Sequence, residues 1–400
     1  MKTSLFFTFL TVTLASNSWA AGGEEYDRIY DRTIEGKSLE QYFQAINGGW
    51  VNNLVPLRKA LRKDRNYIVI HAQEPKSTMD LRTADHFRQS TLAGGILSLT
   101  NDSLGIGHTF VSWRCQTENG PVEGTVGMTG ENDTQFKKMT DAGYGLSAFL
   151  AVWFDGHLQT PELMSLLWKE EKPVHSVAIE VSPEVCHNAA RFVKKFLFHP
   201  DRPFETFGFI PDSEKFEGGG CGSFAVGVIN QSGVFGRHPV TKGFWRNLRG
   251  NSDLFGWGLP HPEDADPWNF GYKGTRSVSL VKMFTSNWNG NGPNMRIMDP
   301  EMILLFFRTL YRATLDEVYA ESAARGRHIL NNKKLYPYRK YPSQELAQEI
   351  VIDSKFDPQA KAVVKSTKSW LNDLRSKGYK ARSTFMGPSY KPAFTLILDR

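Results

Sequence analysis

Residues 174 to 197 leave the chain little conformational choice. Val174 to Val181 places apolar side chains at alternate positions, the period of a strand with a buried face. Ser182-Pro183 follows directly. A serine there accepts from first-turn amides, and the fixed φ of proline suits the start of a helix. Val185, Ala189, Phe192, Val193, Phe196 and Leu197 then recur at helical spacing. A strand and an amphipathic helix joined this tightly predict a sheet with helices laid on its face.

The remaining pattern extends that picture. Asn66 to His71 reads as a strand from its β-branched and aromatic content. His108 to Trp113 and Val122 to Met128 read as neighbouring strands around the turn-prone Gln116 to Pro121. Ala148 to Phe154 is a further strand candidate. Short helices are expected near Leu39 to Ala45, Thr78 to Ser90 and Pro161 to Glu170, and a helix is expected from about Cys221. Pro300 to Ala323 and Asp357 to Lys377 are longer amphipathic helices, and Tyr379 to Phe385 with Ala393 to Leu398 closes the chain as a hairpin. The expected class is α+β, an antiparallel sheet packed on helices. Five segments follow: a signal peptide (1–20), a polar lead-in (21–65), a core (66–232), an irregular insertion rich in Trp, Gly and Asn (233–298), and a helical C-terminal region (299–400).

Lys2, the apolar stretch Leu5 to Ala15 and the small residues around Trp19 form the pattern of a cleavable secretory signal, too short to span a bilayer. A periplasmic or secreted location is therefore expected, with no transmembrane segment. About 380 residues would remain, and 40% hydrophobic with 12% aromatic content supports a sizeable core. The net charge of +6 suits ordinary solubility or an anionic envelope polymer. No Lys/Arg run has the density of a nucleic-acid tract. In an oxidising compartment, three cysteines (Cys115, Cys186, Cys221) leave either one thiol free or all three.

Zinc, phosphate-loop, dinucleotide and nucleophile-elbow signatures are missing from the sequence, so no cofactor or metal is expected. Glu217-Gly-Gly-Gly-Cys-Gly-Ser-Phe-Ala is different: it places Cys221 at the start of a helix. Unpaired amides and the helix dipole lower a thiol's pKa there, and the amide of Cys221 is placed to hold an oxyanion. A structural cysteine fits the same spot. His108, behind Gly105-Ile-Gly, opens a strand and is a candidate base; a structural role fits it as well.

The order of these elements, a Gly-His-x-Phe strand, a second strand, Val177-Ala-Ile-Glu-Val, a helix and then Gly-Gly-Cys-x-Ser-Phe-Ala, resembles the circularly permuted branch of the papain-like superfamily. That branch includes bacterial cell-wall peptidases and lecithin retinol acyltransferase-like enzymes. The resemblance spans roughly residues 100 to 232. It implies a Cys221–His108 pair with a third polar residue on the following strand, for which Glu123 is the candidate and Glu118 and Glu180 are rivals. A pairing of Cys115 with Cys186 would leave Cys221 as the free thiol such chemistry requires.

The implied activity is that of an exported cysteine peptidase, amidase or acyltransferase working through a thioacyl-enzyme, with peptidoglycan peptide or acyl bonds as substrate. Ester or lipid acyl hydrolysis is an alternative on the same fold. Trp245, Arg246 and Trp257, with Arg249 nearby, are candidate substrate contacts, the aromatic rings for sugars or acyl chains and the arginines for an anionic group; a satellite core explains the same tryptophans. A competing class is a non-catalytic envelope glycan-binding module, which predicts an unreactive Cys221. A third is an unorthodox metal hydrolase.

Overall fold

The computed structural model describes residues 36–73, 80–90, 108–130, 156–167, 174–251, 285–324, 357–383 and 395–400. The expected signal peptide, the strand at 148–154 and Trp257 lie outside these residues.

Among the described residues, seven strands form one sheet in the order β4-β3-β2-β1-β5-β9-β8. These are β1 (Asn66–Gln73), β2 (His108–Thr117), β3 (Gly120–Gly130), β4 (Gly156–Gln159), β5 (Val174–Val181), β8 (Lys380–Ser383) and β9 (Thr395–Asp399). Every pairing is antiparallel except β5 with β9. The fold is α+β, with a mixed sheet covered by helices. The central strand β1 reads as the continuous run Tyr67-Ile-Val-Ile because both of its faces are buried.

One face carries Ile68, Ile70, Val111, Trp113, Val126, Val177 and Ile179. It packs on α4 (Pro183–Leu197) and α5 (Cys221–Ser232). Ser182 caps α4 by accepting from the Val185 amide, and Phe192 and Phe196 point inward against Phe224 of α5. The long helices α6 (Pro300–Ala324) and α7 (Pro358–Ser376) extend the same core through Phe306 and Trp370.

The other face carries Tyr67, Val69, Phe110, Ala178 and Ile397. Trp50, Leu54, Leu57 and Leu61 cover it, with Met164 of α3 (Pro161–Leu167). The polar lead-in therefore supplies a layer of the fold, including α1 (Leu39–Ile46), closed by a capping box of Ser38 and Gln41, and α2 (Val55–Ala60).

The expectation that 233–298 is irregular is corrected where it is described. β6 (Trp245–Gly250) and β7 (Asn289–Met298) form an antiparallel pair with a bulge at Arg249/Gly250. Paired residues run from Trp245 with Met298 to Gly250 with Asn289, far apart in the sequence, so no local turn signal announces the pairing. The C-terminal strands join the same sheet as residues 66–181.

Candidate functional site

The glycine run before Cys221 is fixed by close contacts rather than left as a loose loop. Phe207 bridges Gly219, and the Gly219 amide donates to the Thr206 carbonyl at 2.9 Å. Gly218 sits at φ 110°, where a Cβ would meet Thr206 Cγ2 at 2.0 Å. Ser213 Oγ donates to the Gly218 carbonyl at 2.7 Å. The chain thus enters α5 at Cys221, with Gly220 as an N-cap that has no side chain to offer.

The sulfur of Cys221 lies at the start of β2, where it accepts from the backbone amide of Thr109 and from those of Gly222 and Cys221 itself. Burial nonetheless outweighs these donors and pushes the thiol up from its ordinary value. The helix dipole and the amides favour the thiolate, but the desolvation of the sulfur reverses the sign.

The His108 ring turns to the Phe110 face of β2. Successive side chains of a strand alternate faces. The His108 ring shares a face with Phe110, stacked at 5.8 Å between centroids. A Cβ on Gly127 would meet His108 Nε2 and Met164 Cε, both at 2.8 Å, on this same face. The helix that carries Cys221 packs on the opposite face, against Val111 and Trp113. Glu123 is distant from both. The Phe110–Gly127 register places residue 129 opposite His108, six positions from Glu123, roughly 20 Å along the strand. Glu123 is bound instead by Arg114 at 2.5 Å and Arg58 at 2.6 Å.

These placements overturn the expected cysteine peptidase, amidase or acyltransferase. Cys115 and Cys186 are joined in a disulfide. Burial pushes the remaining thiol, Cys221, up from its ordinary value, away from the thiolate that a thioacyl mechanism uses, and the His108 ring is stacked on Phe110.

Among the expected ligand contacts, Arg246 is buried and committed within the chain. Its guanidinium bonds Asp299, at the start of α6, and Asp357 Oδ2, at the N-cap of α7, the latter at 2.6 Å. The anions it meets thus belong to the protein and join two helix N-termini to β6. Trp245 is buried beneath Arg296, whose guanidinium lies 4.1 Å from the ring centroid. Trp288 is buried edge-on against Phe87. The glutamate rivals part as well: Glu180 is buried at the end of β5, whereas Glu118 is exposed at the β2–β3 turn.

Two features were missed from sequence. The first is a polar belt through the sheet. His71 is fully buried, with Nδ1 2.8 Å from Ser176 Oγ and Nε2 3.0 Å from Ser112 Oγ; Ser112 Oγ lies 2.8 Å from Thr125 Oγ1. The belt crosses β5, β1, β2 and β3, and His71 stacks on Phe110 at 4.3 Å. Burial alone lowers the His71 pKa to about 3, so the imidazole is neutral. Single polar residues interrupting apolar strands were the available signal.

The second is a row of charge. Strand register aligns Glu123, Arg114, Tyr67 and Glu180, and the Ile179–Leu398 pair sets Asp399 beside Glu180. Arg58, Arg62 and Arg65, from the segment that covers this face, pair with Glu123, Asp399 and Glu180 in turn. The signal was the spacing of Arg58, Arg62 and Arg65 around the inward-facing Leu57 and Leu61.

Among the described residues no group of His, Cys, Asp or Glu is placed to hold a metal, and no helix is long and apolar enough to cross a membrane. Compared with family models, curated proteins and solved structures, the chain matches none.

Proposed function

We propose that this chain is a non-catalytic binding protein of the cell envelope whose ligand is an envelope glycan polymer. The reading is carried by the Cys115–Cys186 disulfide, which ties up two of the three cysteines, together with burial that pushes the remaining thiol, Cys221, up from its ordinary value. The order of strands and helices that resembles the permuted papain-like core then serves as a scaffold without thiol chemistry. Export is supported by the Cys115–Cys186 bridge, since such bonds persist in oxidising compartments, and by the N-terminal apolar segment. The positive net charge of +6 favours association with an anionic envelope.

The test is co-sedimentation of wild type and Cys221→Ala with purified cell-wall sacculi, combined with chromatography of the supernatant for released peptides. Equal binding by both proteins and no release is the expected result. Release that disappears in Cys221→Ala would overturn the reading, as would failure of the wild type to sediment with the wall.

A further inference from the structure

We infer that the arginine-rich segment from Arg58 to Arg65 is the docking surface for a linear, phosphate-bearing polymer. This inference rests on the envelope-binding reading and names the part of the molecule that meets the ligand.

Leu57 and Leu61 point into the core and fix the segment over the sheet, so the side chains between and beyond them face outward. Arg58, Arg62 and Arg65 keep side-chain exposures of 44%, 44% and 48% over the almost fully buried Glu123, Asp399 and Glu180, and Arg65 also meets the exposed Asp64 at 3.6 Å. Each guanidinium is thus oriented from beneath, and those of Arg58 and Arg62 remain half-exposed above their carboxylates. Arginine's planar fork, held this way, pairs with two oxygens of a phosphate at low ordering cost.

The carboxylates do not neutralise the surface. Glu123 already has Arg114 as a buried partner, and Asp399 has Arg382, which also donates to the Ala60 carbonyl at the end of α2. Lys59 and Lys63 add exposed charge, against Asp64 as the segment's acidic residue. The excess is positive and lies on the outside.

The dimensions select an extended ligand. Glu123 stands on β3 and Asp399 on β9, four strand spacings apart in the sheet order, about 19 Å. That span exceeds a single phosphate and suits successive groups of a chain. A lipid surface is the poorer fit. Membrane-binding segments insert apolar side chains between headgroups, whereas the large apolar side chains of 55–65 are not exposed.

The experiment measures binding of fluorescently labelled inorganic polyphosphate by anisotropy, with neutral dextran and with phosphatidylglycerol/phosphatidylcholine vesicles as comparisons. Wild type should bind polyphosphate and not dextran, and affinity should fall about tenfold or more between 50 and 200 mM salt. Lys59→Gln/Lys63→Gln, which touches no buried carboxylate, should weaken binding about three- to tenfold with an unchanged melting temperature. Arg58→Gln/Arg62→Gln/Arg65→Gln should abolish it. Wild-type affinity in the lysine variant, or vesicles bound as tightly as polyphosphate, would overturn the inference. Sacculus binding that persists without polyphosphate binding sinks the docking surface alone; loss of both sinks the envelope reading as well.

Discussion

A neutral histidine sealed in the sheet makes the fold acid-sensitive in a way that can be assigned to one residue. The His71 pKa falls from 6.5 to about 3 because burial penalises the imidazolium. Below pH 6.5 the unfolded chain therefore takes up a proton that the folded chain refuses until about pH 3. For a base with a depressed folded pKa, the stabilising contribution is complete above the unfolded value and is lost as pH falls through the window from 6.5 to 3. Linkage gives a loss of about 2.5 kcal/mol between pH 7 and pH 4.5 from this residue. The comparison is with His71→Gln, which does not titrate there. The substitution itself should cost about 1–3 kcal/mol at pH 7, because the Ser112 and Ser176 hydroxyls lose a well-aligned partner. Urea unfolding of both proteins at pH 7, 5.5 and 4.5 isolates the effect, since carboxylates common to both cancel. The stability gap should close as pH falls and reverse near pH 4.5 if the substitution costs less than the linkage. Parallel pH profiles would refute the reasoning, because they would mean that His71 titrates alike in both states.

Other substitutions test other parts of the fold. The Cys115–Cys186 bridge closes a loop with a sequence separation of 71, so Cys115→Ala/Cys186→Ala should lose about 4 kcal/mol in denaturant unfolding; an unchanged midpoint would show that the bridge constrains little of the unfolded chain. Arg246→Leu leaves Asp299 buried without its cation and should cost about 3–5 kcal/mol. Adding Asp299→Asn should recover part of that loss, and failure to do so would place the penalty in packing rather than charge. Gly218→Ala combines a left-handed φ with a Cβ 2.5 Å from the Thr206 carbonyl oxygen, and thermal unfolding should show a loss of about 3 kcal/mol. A variant as stable as wild type would mean that the 206–219 bridge yields easily.

Local periodicity determined much of the secondary structure. The strand Val174–Val181, the serine cap and proline start of the next helix, the helix from Cys221 and the terminal hairpin all rest on interactions among residues close in sequence. The pairing of β6 with β7 and the parallel docking of β9 on β5 join distant segments, and no local pattern encodes them. The site divides in the same way. Sequence placed Cys221 at a helix N-terminus and His108 at a strand start, both of which the fold contains. Whether a thiol is activated depends on how much protein encloses it and on which sheet face the base occupies. Those are properties of three-dimensional packing, and here burial pushes the thiol up while the histidine stacks on Phe110. Arg246 shows the same limit: its charge is written in the sequence, but tertiary structure brought Asp299 and Asp357 to it, because burying a guanidinium requires carboxylates that only the packed chain can supply.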